Sequence, residues 1–413
     1  MKKFIRTKNA ALAVILVFLA ASVVFVVTAI VLISRQSGDK FADTDNGVQN
    51  ISNNSYYYNF LPESEQYLYD NILSAALEYR EKTDVIPHKY TADEYDRVIL
   101  ALESDHPELF FLDYGQMTLE NSFSKSRVLL GYVDTFEKID TMRAELDAAI
   151  EEAVSAVRSA PEADGIGEED SLLSIGEFEL EVLLHDYLCS VSTYYDSDNE
   201  GTYNERYLAS TAYGALVSGK AFSDGYSLAM KLLSNKTGLA CIIARGTADG
   251  KPHVWNVMYV DGKFYHVDVA YNDADIDFAP ELKFHGYFNL TADEIKKDHT
   301  IDSEENLPAA QTDYNYYRAK NLHAENLMDL DRIAYREILN AVYSGKNYIE
   351  LYTTFSREGE SFKEDLLSVI SRVNNIQDDR ELKVVFRVYN ASATNNALTI
   401  QLYYEEEIEV ETE

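Results

Sequence analysis

Asp261-Gly262 narrows what this chain can become more than any other pair of residues. A two-residue type I′ turn wants positive φ at both positions, and Asp-Gly supplies it, so the flanking segments are expected to pair as an antiparallel hairpin. With those two residues as the loop, Val260 faces Lys263. Counting outward sets Trp255 opposite Asp268 and His253 opposite Ala270. Directly paired residues share a face, so His253, Trp255, His266 and Asp268 all project the same way. His253 and Asp268 become diagonal neighbours roughly 7 Å apart at the backbone, within side-chain reach.

Upstream, Leu239 to Arg245 is an apolar run of strand length, followed by a Gly-rich turn over Gly246 to Gly250. Before it, a turn at Gly219 leads to Ser223 and Asp224, both good N-caps for an apolar-periodic segment (Tyr226, Ala229, Met230, Leu233) that stops near Gly238. Ser223 therefore belongs at a helix N-terminus. An imidazole oriented by a carboxylate and facing such a terminus is the layout of an acyl-transfer site.

The segments AYGALVSGKAFSDGYS (Ala212 to Ser227), HVWN (His253 to Asn256) and FYHVD (Phe264 to Asp268) together resemble the transglutaminase-like domain family. Its fold is papain-like, and its pattern sets a nucleophilic Cys before Gly-Tyr on a helix, then His-x-Trp-Asn, then an Asp ending the next strand. Gly225, Tyr226, His253, Trp255, Asn256 and Asp268 match; the family's Cys is Ser223 here. The resemblance spans roughly Glu177 to Tyr317 and includes HGYFNLTADEIKKDHT (His285 to Thr300). It implies an α+β fold with a transglutaminase-type core, Ser223, His253 and Asp268 in the catalytic positions, and Tyr213, Asp224, Gly225, Tyr226, Trp255 and Asn256 around the substrate pocket. Trp255 is expected to wall that pocket, with its indole N–H facing an acyl oxygen as the alternative. Asp224 is equally a first-turn acid that suits the helix dipole.

The oxygen at position 223 changes the chemistry. A thiol, with a reference pKa of about 8.5, is drawn to thiolate by an imidazolium and a helix N-terminus, whereas a hydroxyl starts several units higher. Three readings follow: a catalytically degenerate module that binds peptide or cell-envelope polymer, a Ser-dependent amidase, peptidase or acyltransferase, and an inert structural protein with Ser223 capping its helix. An open groove over Ser223 fits the first two; Ser223 buried against side chains fits the third. Cys241 and Cys189 read as core residues, with a single disulfide between them as the alternative. His266 reads as a core or rim residue. Asp273, Asp275 and Asp277 read as a solvated acidic turn. No His, Cys or Glu grouping has zinc spacing and no P-loop or EF-hand loop is present, so neither metal nor organic cofactor is expected.

Lys2, Lys3, Arg6 and Lys8 precede an uncharged run from Asn9 to Ser34, long enough to span a hydrocarbon core of about 30 Å. The expectation is a single-pass anchor over residues 10–34 with the N-terminus in the cytoplasm and the remainder extracytoplasmic, a cleaved signal being the alternative. Behind the anchor segment (1–35) the chain divides into a polar stalk (36–55), an N-terminal α+β region (56–160), a linker (161–176), the core (177–320) and a C-terminal two-layer α+β module (326–413). Asp105-His106-Pro107-Glu108 reads as a helix-ending loop before buried Leu109 to Leu112. Asp and Glu number 70 against 36 Lys and Arg, a net charge of −34. That sign opposes nucleic acid and anionic lipid as partners of the ectodomain and favours basic peptides or amine-bearing polymers.

Overall fold

The computed structural model describes residues 55–163, 165, 167, 170–195, 201–273, 282–355, 360–376, 382–389 and 396–406. The expected anchor, the stalk before Ser55, Asp275, Asp277 and the acidic tail beyond Glu406 lie outside the described residues. Among the described residues no helix is long and apolar enough to cross a membrane.

The chain is α+β. Helices α1 (Glu63–Leu77) and α2 (Ala92–Asp105) come first, and α2 opens on a capping box in which Thr91 and Glu94 satisfy each other's backbone. A hairpin of β1 (Thr118–Asn121) and β2 (Ser126–Leu129) follows, then the long α3 (Phe136–Arg158). Leu109, Phe110, Phe111 and Leu112 are buried, as expected of the segment after the His106 loop. Next come α4 (Glu177–Val191), β3 (Thr193–Tyr194), α5 (Tyr203–Ala209), a π-turn over Gly214–Ser218 and β4 (Lys220–Ala221). Helix α6 (Ser223–Thr237) leads into β5 (Ala240–Ala248), β6 (Lys251–Val260) and β7 (Lys263–Val267). One apolar core runs through both regions, joining Leu68, Leu102, Phe111 and Leu146 to Leu184, Tyr226, Leu233 and Met258. The helices before residue 160 and the sheet behind α6 are thus buried against each other.

The hairpin register is the expected one: Val260 pairs with Lys263 and Asn256 with Val267, and Asp261 and Gly262 have φ of 50° and 80°. The turn before it differs from expectation. Strand β5 continues through Gly246 to Ala248, and the loop is a second Asp-Gly pair, Asp249 (φ 49°) and Gly250 (φ 75°). Gly246 is a strand residue with a steric reason, since a Cβ there would meet the Thr300 carbonyl at 1.8 Å. After β7 come α7 (Val269–Asn272), α8 (Ala292–Ile295) and the three-residue β8 (His299–Ile301), which pairs with β5 so that the sheet order is β7-β6-β5-β8.

Helix α9 (Tyr316–Ala319) and β9 (His323–Ala324) connect to the last unit, α10 (Leu327–Ser344), β10 (Tyr348–Thr353), α11 (Glu360–Ile376), β11 (Leu382–Tyr389) and β12 (Ala397–Glu406). Its four strands are ordered β11-β12-β10-β9, and residues of both helices, among them Leu330, Ile338, Leu366 and Val369, share a core with Ile349, Leu351 and Ile400 on the sheet. That is a two-layer arrangement of helices on one sheet.

Candidate active site

Helix α6 is fixed along the sheet by its own polar side chains. Ser227 Oγ donates to the Val254 carbonyl (3.0 Å), Asn256 Nδ2 donates back to the Ser227 carbonyl (3.0 Å), and buried Lys231 Nζ donates to the Cys241 carbonyl (2.9 Å), whose residue pairs with Met258. Four helical residues rise about 6 Å and two strand residues about 6.6 Å, so one turn back from Ser227 brings Ser223 level with His253. Ser223 is the first residue of the helix. Phe222, not Ser223, is the N-cap, and its side chain makes no capping bond, so the expected capping role is corrected. Ser223 is 6% exposed, and its hydroxyl makes no hydrogen bond among the described residues. The burial is what the inert reading expects, and no open groove lies over Ser223 among the described residues, while its free hydroxyl is not that of a cap. Gly225 lets this turn approach the preceding segment, because a Cβ would come within 2.4 Å of the Ala209 carbonyl.

His253 Nε2 donates to Asp268 Oδ2 at 2.6 Å, with both side chains buried. Asp268 ends β7, and its other oxygen caps α7 by accepting from Tyr271 N (3.1 Å). The Tyr271 ring packs edge-on against His253, with centroids 4.8 Å apart. A second histidine reaches the same carboxylate oxygen: His299 Nε2 donates to Asp268 Oδ2 (3.1 Å), while His299 Nδ1 donates to Asp298 Oδ1 (2.5 Å). Space for these rings comes from β5, which presents Ala244, Gly246 and Ala248 opposite Trp255, His253 and His299. Burial alone would raise the Asp268 carboxyl, yet His253 and His299 hold it down at about 2. Burial opposes the charge on His299, but its bonds to Asp268 and Asp298 prevail and push its pKa up to about 9. The site therefore holds a fixed carboxylate and a fixed imidazolium.

Trp255 is fully buried beneath this group, its ring near parallel to His253 and 5.1 Å from His299. Its Nε1 donates to His266 Nδ1 (3.0 Å), so the indole N–H does not face an acyl oxygen. His266 accepts that bond as a neutral ring, burial pushing its pKa down to about 3. Asn256 ties the sheet to α6 and also reaches Cys241 Sγ at 3.1 Å. Tyr226 donates to Asp273 and Tyr194 stacks on it. Asp224 lies 3.6 Å from Arg245 Nη1, and Arg245 also donates to Glu103 (2.8 Å); burial raises the Asp224 carboxyl while Arg245 pulls it back. Tyr213 is directed elsewhere: it stacks on Phe110 and its hydroxyl donates to Glu145 of α3, so its expected place at the pocket is corrected. Cys189 and Cys241 are buried free thiols, not a disulfide.

Sequence reasoning did not reach His299, Asp298 or Tyr271 as members of the group. The Asp-His pair inside HGYFNLTADEIKKDHT was the available signal. Among the described residues two sets of donors come within 4.8 Å of one another, His253 with Asp268 and His299, and His185 with Asp186 and His285. Ligands of a tetrahedral ion, each about 2.0 Å from it, stand about 3.3 Å apart. Separations of 2.6 to 3.1 Å in both sets are hydrogen-bond distances instead. A hollow of about 460 Å³ between Tyr58, Tyr67, His88 and Tyr90 does not have Ser223 in its lining.

No family model matches this chain, and no curated protein does. Among solved structures it is similar to a TGase at 17% identity and a TM-score of 0.25, covering 44% of this chain and 48% of that one. It is also similar to a protein from Cytophaga hutchinsonii described as a cysteine protease, at 10% identity and a TM-score of 0.22, covering 38% of this chain and 61% of that one. The chain thus spans about half to three-fifths of these structures, and at such TM-scores the likeness carries no functional information.

Proposed function

We propose that residues 177–320 form a transglutaminase-type, papain-like core whose site takes an acyl-bearing peptide or cell-envelope polymer and holds it without efficient turnover. The observation that carries this reading is the His253–Asp268 pair assembled level with the first residue of α6, where an unengaged hydroxyl stands in place of a thiol. A helix N-terminus and an imidazole cannot hold a hydroxyl ionised, so binding outlasts chemistry. In this reading residues 10–34 anchor the chain and the acidic ectodomain faces a basic or amine-bearing partner outside the cytoplasm.

The second reading is a Ser-dependent amidase, peptidase or acyltransferase. It is favoured by one detail: with Nε2 committed to Asp268, Nδ1 is the His253 nitrogen left to take a proton. Ser223 Oγ would then attack a carbonyl as its proton passes to His253, and the leaving amine or alcohol would take that proton as the acyl bond breaks.

A fluorophosphonate separates the two, because a working serine forms an O–P bond and releases fluoride. The full-length protein is expected to show no adduct by intact mass and to co-sediment with insoluble cell-envelope polymer. An adduct that Ser223→Ala and His253→Ala both abolish would establish the serine enzyme; absence of both adduct and co-sedimentation would leave an inert fold.

A further inference from the structure

One carboxylate oxygen serves two histidines. Asp268 Oδ2 accepts from His253 Nε2 and from His299 Nε2, and the two ring centroids are 5.4 Å apart. All three side chains are buried, so two imidazolium ions at this separation would repel with little water between them. The structure favours His299 as the cation. It alone has a carboxylate on each ring nitrogen, Asp268 on Nε2 and Asp298 on Nδ1, and Asp298 is steadied from its other oxygen by the Tyr287 hydroxyl (2.7 Å).

We infer that His299 is a positioning residue that sets the resting charge of this site: it takes the cation on Asp268 and leaves His253 a neutral base. A Cys-type site rests as a thiolate beside an imidazolium, which needs His253 charged. A hydroxyl has no use for that resting charge. The inference concerns the same site as the proposed function and rests on the placement of Ser223 beside His253.

The other charged and titratable groups facing the pair are few. His253 meets Asp268 and Tyr271 from the start of α7, His299 from β8, and Asp224 from the first turn of α6, which is itself drawn to Arg245. His299 meets Asp298 on its own segment, the rings of Tyr271 and Tyr287, and His266 from β7, with Lys296 beyond His266. Among these His299 and Arg245 are the fixed cations close to the dyad. Of these two cations it is His299 that bonds to Asp268.

The test introduces a thiol and reads its ionisation by thiolate absorbance near 240 nm against pH, with the wild-type protein supplying the background of Cys189 and Cys241. Ser223→Cys alone is expected to titrate in the ordinary thiol range of about 8 to 9. Ser223→Cys with His299→Gln, which keeps a donor for Asp268 but no charge, is expected to titrate at least about one unit lower, with roughly tenfold faster alkylation by iodoacetamide at pH 6. Ser223→Cys with His299→Asn serves if the glutamine does not fold by circular dichroism, and Ser223→Cys with His299→Lys, which restores the charge, is expected to return the midpoint to that of Ser223→Cys. Equal midpoints with and without the histidine, or a low midpoint in Ser223→Cys alone, would overturn the inference while leaving the binding reading intact. A fluorophosphonate adduct on the wild-type protein would do the reverse.

Discussion

Two groups in this molecule share one plan, a single carboxylate accepting from two histidines, and they have opposite electrostatics. In the first, Asp268 serves His253 and His299, a second carboxylate backs His299, and His299 is raised to about 9. In the second, Asp186 accepts from His185 Nδ1 (2.8 Å) and His285 Nε2 (2.9 Å), and among the described residues no further carboxylate bonds to either ring. Burial there outweighs Asp186 and pushes His285 down to about 4. The remaining positions also differ. His185 Nε2 is occupied by Asn272 Nδ2 (3.1 Å), and the His285 ring lies flat on Tyr316 with centroids 3.6 Å apart. His253 Nδ1 makes no hydrogen bond among the described residues. A His-Asp contact is thus common currency in a buried core, and that spare nitrogen distinguishes the proposed site from a pin that ties α4 to α7 and to the segment before α8.

The largest expected difference comes from breaking each carboxylate in turn. Asp268→Asn, made in the Ser223→Cys background, leaves a cationic His299 without its main partner and frees His253 to turn. It is expected to lower stability by about 3 kcal/mol and to slow acylation of the introduced thiol about 100-fold. Asp186→Asn is expected to destabilise by about 1–3 kcal/mol and to leave acylation within about threefold. Urea denaturation and labelling rates measured on both would check this. Equal effects on labelling would erase the distinction between the two groups.

A smaller effect follows from the opposite shifts. His299 is raised above its unfolded value near 6.5, so its stabilising contribution is complete below about 6.5 and is lost as pH rises toward 9. His285 is lowered, so the unfolded chain binds its proton first and stability is lost as pH falls from about 6.5 toward 4. Each window is worth on the order of 3 kcal/mol. His299→Gln should therefore destabilise more at pH 6 than at pH 9, whereas His285→Gln should compare more favourably with the wild type at pH 4.5 than at pH 7. Thermal melts across that range test both signs.

Much of this was legible in the chain because it is local. Asp261-Gly262 determined the register that brings His253 to Asp268, and the apolar periods of α10 and α11 with the flanking strands marked out the C-terminal layers. What escaped depends on contacts distant in sequence. His299 joins the site only because three residues of β8 pair with β5 about 50 positions earlier, and nothing near it announces that pairing. Gly246 read as a turn residue, although the approach of the Thr300 carbonyl is what demands it there, and the true turn repeats the Asp-Gly signal at Asp249-Gly250. Ser223 reads as a cap from its residue type, yet the chain enters α6 through Phe222. The resemblance sets Tyr213 at the pocket, while the π-turn that follows it and the stack on Phe110 turn it toward α3.

In the proposed function Ser223 and His253 form one assembled site, and acylation of a thiol at position 223 tests that most directly. Ser223→Cys would be treated with a thioester acyl donor and followed by intact mass, beside the same variant carrying His253→Ala. An assembled site gives a single acyl adduct on Ser223→Cys that forms at least about tenfold more slowly once His253 is removed. Acylation at the same rate with and without His253, or a position 223 that no acyl donor reaches, would contradict it.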